Sequence, residues 1–263
     1  MRLDNLNIPW GRGVFRRTKR ISMELSNLCN HAEAHNRCPA HFQDEPAILP
    51  EAVVDAVLSS CQAYDFQGVI SFHLYNEPGI DPRLVLFMKK AKKALPAARL
   101  FLLTNGWYLD QTLAREFETH GLDFLGISVY SEKERARLSR IRLSIPIRIM
   151  YEPHDDRVDW YDGRQGPGCG PPCYCPLYEI CITCKGEVCL CPFDWQRQHA
   201  FGNLHHDPLE VILGRPEVWR LYEALSSGNR ELAICRGCTT FRGEPWTDDA
   251  GAGPQDIVPE KKP

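Results

Sequence analysis

Residues 68–106 read GVISFHLYNEPGIDPRLVLFMKKAKKALPAARLFLLTNG. An apolar run at 68–75 stops at Asn76-Glu77-Pro78. Apolar residues then recur at helical spacing through 81–95, and a second apolar run at 98–106 ends in a turn at Asn105-Gly106. The pattern predicts strand, helix, strand. Asp81 is placed to cap the helix and Pro82 to open its first turn. Two apolar strands joined by a helical crossover lie parallel in one sheet.

The alternation continues on both sides. ISMELSN (21–27) predicts a strand, and residues 50–65 a helix that Pro50 opens. Residues 109–121 predict a helix closed by Gly121, residues 123–131 a strand, 131–140 a short helix and 144–152 another strand. The fold class expected is α/β, with too few strands for a closed eight-fold barrel and enough for an open or partial one. In such sheets chemistry gathers at the carboxyl ends of the strands. Cys29, Asn76-Glu77-Pro78, Thr104-Asn105-Gly106 and Ser128 fall there.

The chain has 263 residues, 43% hydrophobic and 25% charged, which suits one core plus a smaller lobe. A net charge of −3 argues against an electrostatic nucleic-acid binder. No apolar run approaches the roughly 18 residues of a membrane span. The first 20 residues lack the apolar core of a secretory signal. Together these predict a cytoplasmic protein without membrane or nucleic-acid partners.

Twelve cysteines carry most of the remaining information: Cys29 and Cys38, Cys61, and nine between Cys169 and Cys238. In a reducing compartment such clustering predicts metal or iron–sulfur ligation rather than cross-links. The chain turns rich in Gly and Pro after residue 153, and YEICITCKGEVCLCPFD predicts a hairpin turning at Lys185-Gly186. Residues 208–228 predict one or two helices, and the polar tail 243–263 has little to bury. Cys235-x-x-Cys238 and Cys181-x-x-Cys184 each place two thiols on one turn, so a zinc ribbon of these four is one reading.

The order Cys173, Gly186, Cys191, then Cys235-x-x-Cys238, with Gly202-Asn203-Leu204 and Trp219 between, resembles the auxiliary-cluster "twitch" lobe of radical S-adenosylmethionine enzymes. The resemblance implies a partial (βα)6 barrel over residues 19–155 and a cysteine-rich lobe over 156–242. An extension precedes them at 1–18 and a disordered tail follows at 243–263. It implies one auxiliary [4Fe–4S] cluster on Cys173, Cys191, Cys235 and Cys238, leaving Cys169, Cys175, Cys181, Cys184 and Cys189 over. The stretch FHLYNEP (72–78) is similar to the strand end that holds the methionine amino group in this family, which gives Asn76, Glu77 and Pro78 that role. Asn105 and Ser128 are implied for the carboxylate or ribose, and Arg164 for substrate.

One motif departs from the family. Its usual C-x3-C-x2-C loop is replaced by Cys29-x8-Cys38. His35, separated from Cys38 by two residues, is the expected third ligand of the active-site [4Fe–4S] cluster. His31 is a second candidate, and a loop without a histidine ligand is a third. Imidazole ligation raises a cluster's potential.

The implied activity is hydrogen abstraction by a 5′-deoxyadenosyl radical from a hydroxyl-bearing carbon of a sugar- or cyclitol-like small molecule. A flavodoxin or ferredoxin would supply electrons. Loss of a further electron gives dehydrogenation. Return of hydrogen from a thiol (Cys181, Cys184 or Cys189) gives epimerisation. Peptide modification is an alternative, weakened because no leader-binding region is evident. A non-catalytic iron–sulfur or zinc protein is the other.

Overall fold

The computed structural model describes residues 14–32, 38–42, 45–151 and 168–238. Its centre is an eight-stranded sheet with the order β5-β4-β3-β2-β1-β6-β7-β8. The strands are β1 (Arg20–Met23), β2 (Val69–Ser71), β3 (Arg99–Thr104), β4 (Leu122–Val129), β5 (Ile147–Tyr151), β6 (Glu179–Ile182), β7 (Glu187–Cys189) and β8 (Gly202–Asn203). All pairings from β5 through β1 to β6 are parallel, and β7 and β8 add antiparallel. The sheet is open, as the alternating pattern predicts. Its sixth parallel strand, β6, comes from the cysteine-rich half and joins beside β1 rather than beyond β5.

Parallel strands bury both faces, so their sequences run apolar without strict alternation. Ile21 and Met23 in β1 and Leu125 and Ile127 in β4 are buried in this way. Helices α1 (Glu51–Ala63), α2 (Leu84–Ala94) and α3 (Gln111–Thr119) supply the crossovers. They contribute Val54, Val57, Phe87, Met88, Ala114 and Phe117 to one core. Val14 and Phe15 join that core, and Phe15 stacks on Tyr64 at 4.7 Å.

Local signals set the helix ends, with one difference. Asp110 caps α3 by accepting from Leu113 N, and Gly121 follows its end at φ +82°. Ser131 and Glu134 form a reciprocal cap on α4 (Glu132–Leu138). Asp81 does not cap α2. It accepts from Arg83 N and Arg83 Nε, and the helix begins two residues later than that cap requires. A short polar side chain that bonds two residues ahead makes a turn instead of a helix start.

In the second half, α5 (Cys175–Tyr178) leads into β6, and β6 and β7 form the expected hairpin with Gly186 at φ +75°. Helices α6 (Leu209–Leu213), α7 (Pro216–Ser226) and α8 (Ala233–Arg236) follow. Leu190, Leu225 and Ile234 make a separate small core, with Cys173, Cys191 and Cys235 against it. Among the described residues no helix is long and apolar enough to cross a membrane.

Candidate metal centres

The first centre is built where β1, β2 and β3 end. Glu77 follows β2 and is 2% exposed. Its Oε1 accepts from Gly79 N (2.8 Å) and Thr104 Oγ1 (2.5 Å), and its Oε2 from Asn105 N (2.7 Å). The carboxylate thus ties the end of β3 to the Pro78–Ile80 turn. Its own N–H donates to Leu28 O at 2.9 Å, beside Cys29. Asn105 Nδ2 donates to Asn30 Oδ1 at 2.8 Å. Two strand ends therefore fix the first turn of the cysteine loop.

Cys29 and Cys38 are both half-buried. His41 bridges the two ends of the loop: its Nδ1 lies 2.9 Å from Ala32 O and its N–H bonds Cys38 O. Burial pushes the Cys29 thiol up to about 11, helped by the charges of Cys38 and Glu77 nearby. A metal must displace that proton to bind. His35 lies outside the described residues. His31 tilts against Tyr130 at 5.0 Å, with Nε2 3.3 Å from Glu134 Oε1. A carboxylate on one imidazole nitrogen is the usual support for a ligand acting through the other.

At this side of the sheet are polar atoms that none of the described residues satisfies. Asn76 Nδ2, Glu24 Oε1 and Arg197 Nη1 are buried without a hydrogen-bond partner. Asn76 and Glu24 follow β2 and β1, at the carboxyl end of the sheet. Buried polar groups are normally paired, so unpaired ones here fit a polar molecule such as S-adenosylmethionine or a hydroxylated substrate. Ser128, near the end of β4, is 8% exposed. Arg164 lies outside the described residues.

The second centre is a cavity lined by Cys173, Cys191, Cys235 and Cys238, the four cysteines singled out by their order in the sequence, and also by Cys175. The rest of its wall is apolar, with Leu190, Leu225 and Ile234. Burial pushes the Cys235 thiol up to about 12, with Cys173 and Cys238 adding to the rise and Arg230 opposing it. Arg230 staples the two cysteine-bearing segments: Nε and Nη2 donate to Pro171 O, and Nη1 to Cys238 O. Several soft thiols lining one apolar pocket fit an iron–sulfur cluster.

The hairpin cysteines lie elsewhere. Cys181 and Cys189 face one another across β6 and β7. Cys184 lies past the end of β6, with its N–H donating to Glu24 Oε2 at 3.0 Å and its thiol on the same carboxylate. The zinc-ribbon reading is therefore not realised, because Cys181 and Cys184 are absent from the cavity that holds Cys235 and Cys238. Burial raises all three hairpin thiols well above their ordinary range. Burial likewise lifts Glu24 to about 7. Sequence reasoning passed over Glu24, whose signal is a lone acid inside the apolar run ISMELSN. It also passed over Arg230, which carries no local signal, and left Cys175 aside as surplus.

Comparison with known proteins fits this division. Residues 173–239 match the iron–sulfur cluster-binding domain SPASM. The S-adenosyl-L-methionine-dependent 2-deoxy-scyllo-inosamine dehydrogenase of Niallia circulans is 22% identical over 228 residues, covering 83% of this chain and 91% of the relative. The crystal structure of BtrN in complex with AdoMet and 2-DOIA superposes with a TM-score of 0.76 at 20% identity, covering 87% of this chain and 97% of that one. AdoMet-bound anSMEcpe gives 0.54 at 12% identity, covering 83% and 88%. The chain thus shares the fold of these AdoMet-bound structures, and its C-terminal part matches an iron–sulfur cluster-binding domain.

Proposed function

We propose that the protein is a radical S-adenosylmethionine oxidoreductase or epimerase acting at a hydroxyl-bearing carbon of a cyclitol- or sugar-like small molecule. The observation that carries this reading is the placement of two cysteine sites on one sheet. One lies at the carboxyl ends of β1 to β3, the other in the lobe that β6 joins to β1. When bound, the two [4Fe–4S] clusters and S-adenosylmethionine supply a 5′-deoxyadenosyl radical and a nearby electron acceptor. The similarity to a cyclitol dehydrogenase over 83% of the chain favours a substrate of that chemical class. Peptide modification has weaker support.

The chain's own residues divide the work. Cys29, Cys38 and His35 hold the active-site cluster. Asn76, Glu77, Pro78, Asn105 and Ser128 shape the cofactor site, with Glu77 acting chiefly as the clamp between strand ends. Its three internal donors leave the carboxylate little capacity for an outside ammonium, so its part in binding the methionine end is carried by the backbone it orders. Arg164 meets substrate. Among Cys181, Cys184 and Cys189, Cys184 is the thiol at the carboxyl end of the sheet. Its neighbour Glu24 is able to exchange a proton near neutral pH. A flavodoxin or ferredoxin supplies electrons in the cytoplasm. The units proposed are 1–18, 19–155, 156–242 and 243–263.

Anaerobic reconstitution tests the reading. About eight irons per chain are expected for two [4Fe–4S] clusters, with 5′-deoxyadenosine formed on dithionite reduction and stimulated by 2-deoxy-scyllo-inosamine or a related cyclitol. Stoichiometric zinc with no 5′-deoxyadenosine would sink it. In deuterated buffer an epimerase places deuterium on the product carbon, whereas a dehydrogenase releases a ketone. Cys184→Ala abolishes deuterium incorporation if its thiol is the donor. For the third ligand, His35→Ala is expected to lose iron at the Cys29 site alone, and His35→Cys to keep it at a lower potential. Full iron and activity in His35→Ala would exclude His35.

A further inference from the structure

We propose that Cys175 is a ligand of the auxiliary cluster, interchangeable with Cys173. The inference rests on the reading of the cysteine-rich lobe as cluster-binding. A four-iron cluster takes four thiolates, and this cavity offers five. Cys175 is not placed there by accident of the helix. Its side chain and that of Cys173 flank Tyr174, which sits outside helical geometry at φ −103°, ψ 3° as the N-cap of α5. Cys173 is pinned from outside the segment, its N–H donating to Leu225 O at 2.8 Å.

Cys175 and Cys173 line the cavity together with Cys191, Cys235 and Cys238. Either residue makes a set of four with the other three. Cys175 is 5% exposed and lines the cavity. The exchange is redox-neutral. Cys175 gives up its proton as its sulfur–iron bond forms, and Cys173 takes a proton as its bond breaks.

The test uses the full chain carrying Cys29→Ser and Cys38→Ser, so that iron reports on the auxiliary site alone. Iron and acid-labile sulfide are counted after anaerobic reconstitution, and the reduced cluster is examined by electron paramagnetic resonance. The parent and the Cys173→Ser and Cys175→Ser variants are each expected to hold about four irons, the first of these variants with altered g-values. The double variant is expected to hold less than a quarter of the parent's iron. If Cys173→Ser is as empty as the double variant while its circular dichroism matches the parent, Cys175 is not a ligand. Should Cys173→Ser fail to fold, Cys173→Ala and alkylation mapping of the folded parent replace it. Iron-dependent partial protection of both Cys173 and Cys175 supports the assignment, and full protection of Cys173 with none at Cys175 overturns it. A parent without iron overturns the cluster reading itself.

Discussion

The two cysteine sites solve the same problem by opposite means. At the Cys29 loop the thiols are few and the scaffold is polar: Glu77 takes three donors, Asn105 donates to the Asn30 side chain, and His41 bridges backbone across the loop. In the lobe the thiols exceed what one cluster needs and the wall is apolar, with Leu190, Leu225 and Ile234 around them. A site that must admit a polar cofactor needs strand ends and unpaired polar atoms. A site that only holds a cluster gains from dryness, which keeps water off the iron. The difference predicts that the first will fail by losing orientation and the second by losing its core.

Removing ligands should separate the sites most sharply. Cys29→Ala with Cys38→Ala is expected to abolish 5′-deoxyadenosine formation and halve the iron, with thermal stability nearly unchanged. Cys191→Ala is expected to lose the other half and lower the stability as well, since Cys191 packs against the small core that organises the lobe. Scanning calorimetry alongside iron assay checks this. Equal stability loss in both variants would erase the distinction.

Much of this arrangement was legible in the chain, and unevenly so. The strand–helix alternation places β1 to β5 because apolar period is a local property. The hairpin follows from Gly186, whose positive φ a substituted residue would resist. The pairing of β6 with β1 has no local signal: a parallel partner so distant in sequence is chosen by burial of ICI against ISM. That pairing brings Cys184 to Glu24, so neither residue's environment was readable. The order of Cys173, Cys191, Cys235 and Cys238 pointed to one site, and they do line one cavity, whereas nothing in that order marked Cys175, which lines it too. Asp81 was misread because a side chain that caps a helix and one that makes a turn look alike in sequence.

Glu24 sharpens the contrast through pH. Burial lifts its carboxyl from about 4.5 to about 7, and its Oε1 has no hydrogen-bond partner among the described residues. An acid raised in the folded state contributes stability that is full below its unfolded value and is lost as pH rises through its folded one. The loss should run from about pH 4.5 to just above 7 and amount to the order of 3 kcal/mol. Urea denaturation of the metal-free chain across that range is expected to show the decline in wild type and a flatter profile in Glu24→Gln. Parallel profiles would place the titration elsewhere.

Glu77 gives a smaller effect on the same side of the comparison. In Glu77→Gln an amide N–H₂ must face at least one of Gly79 N, Thr104 Oγ1 or Asn105 N, each a donor. An unsatisfied buried donor costs about 1–3 kcal/mol. Loosening of the Cys29 loop should weaken S-adenosylmethionine binding in step with that loss, while the auxiliary cluster keeps its iron. Calorimetric titration with S-adenosylmethionine measures the first and iron assay the second. Unchanged affinity and stability would remove Glu77 from its role as clamp.

Arg230 supplies the smallest and most specific test, because it joins charge to scaffold within the dry site. It is 4% exposed and spans Pro171 O and Cys238 O, and its positive charge opposes the rise of the Cys235 thiol. A cation beside a cluster favours the more negative, reduced state, so removing it should make reduction harder. Arg230→Gln is therefore expected to lower the potential of the auxiliary couple by on the order of 30–60 mV, where 59 mV is tenfold for one electron. Arg230→Lys keeps the charge but lacks the planar fork that reaches two carbonyls at once. It should hold the potential near that of wild type while the lobe melts earlier. Redox titration followed by electron paramagnetic resonance separates the two variants. Wild-type potentials in both Gln and Lys would leave Arg230 as a staple alone, and a lower potential in both would mean that geometry, not charge, sets the couple.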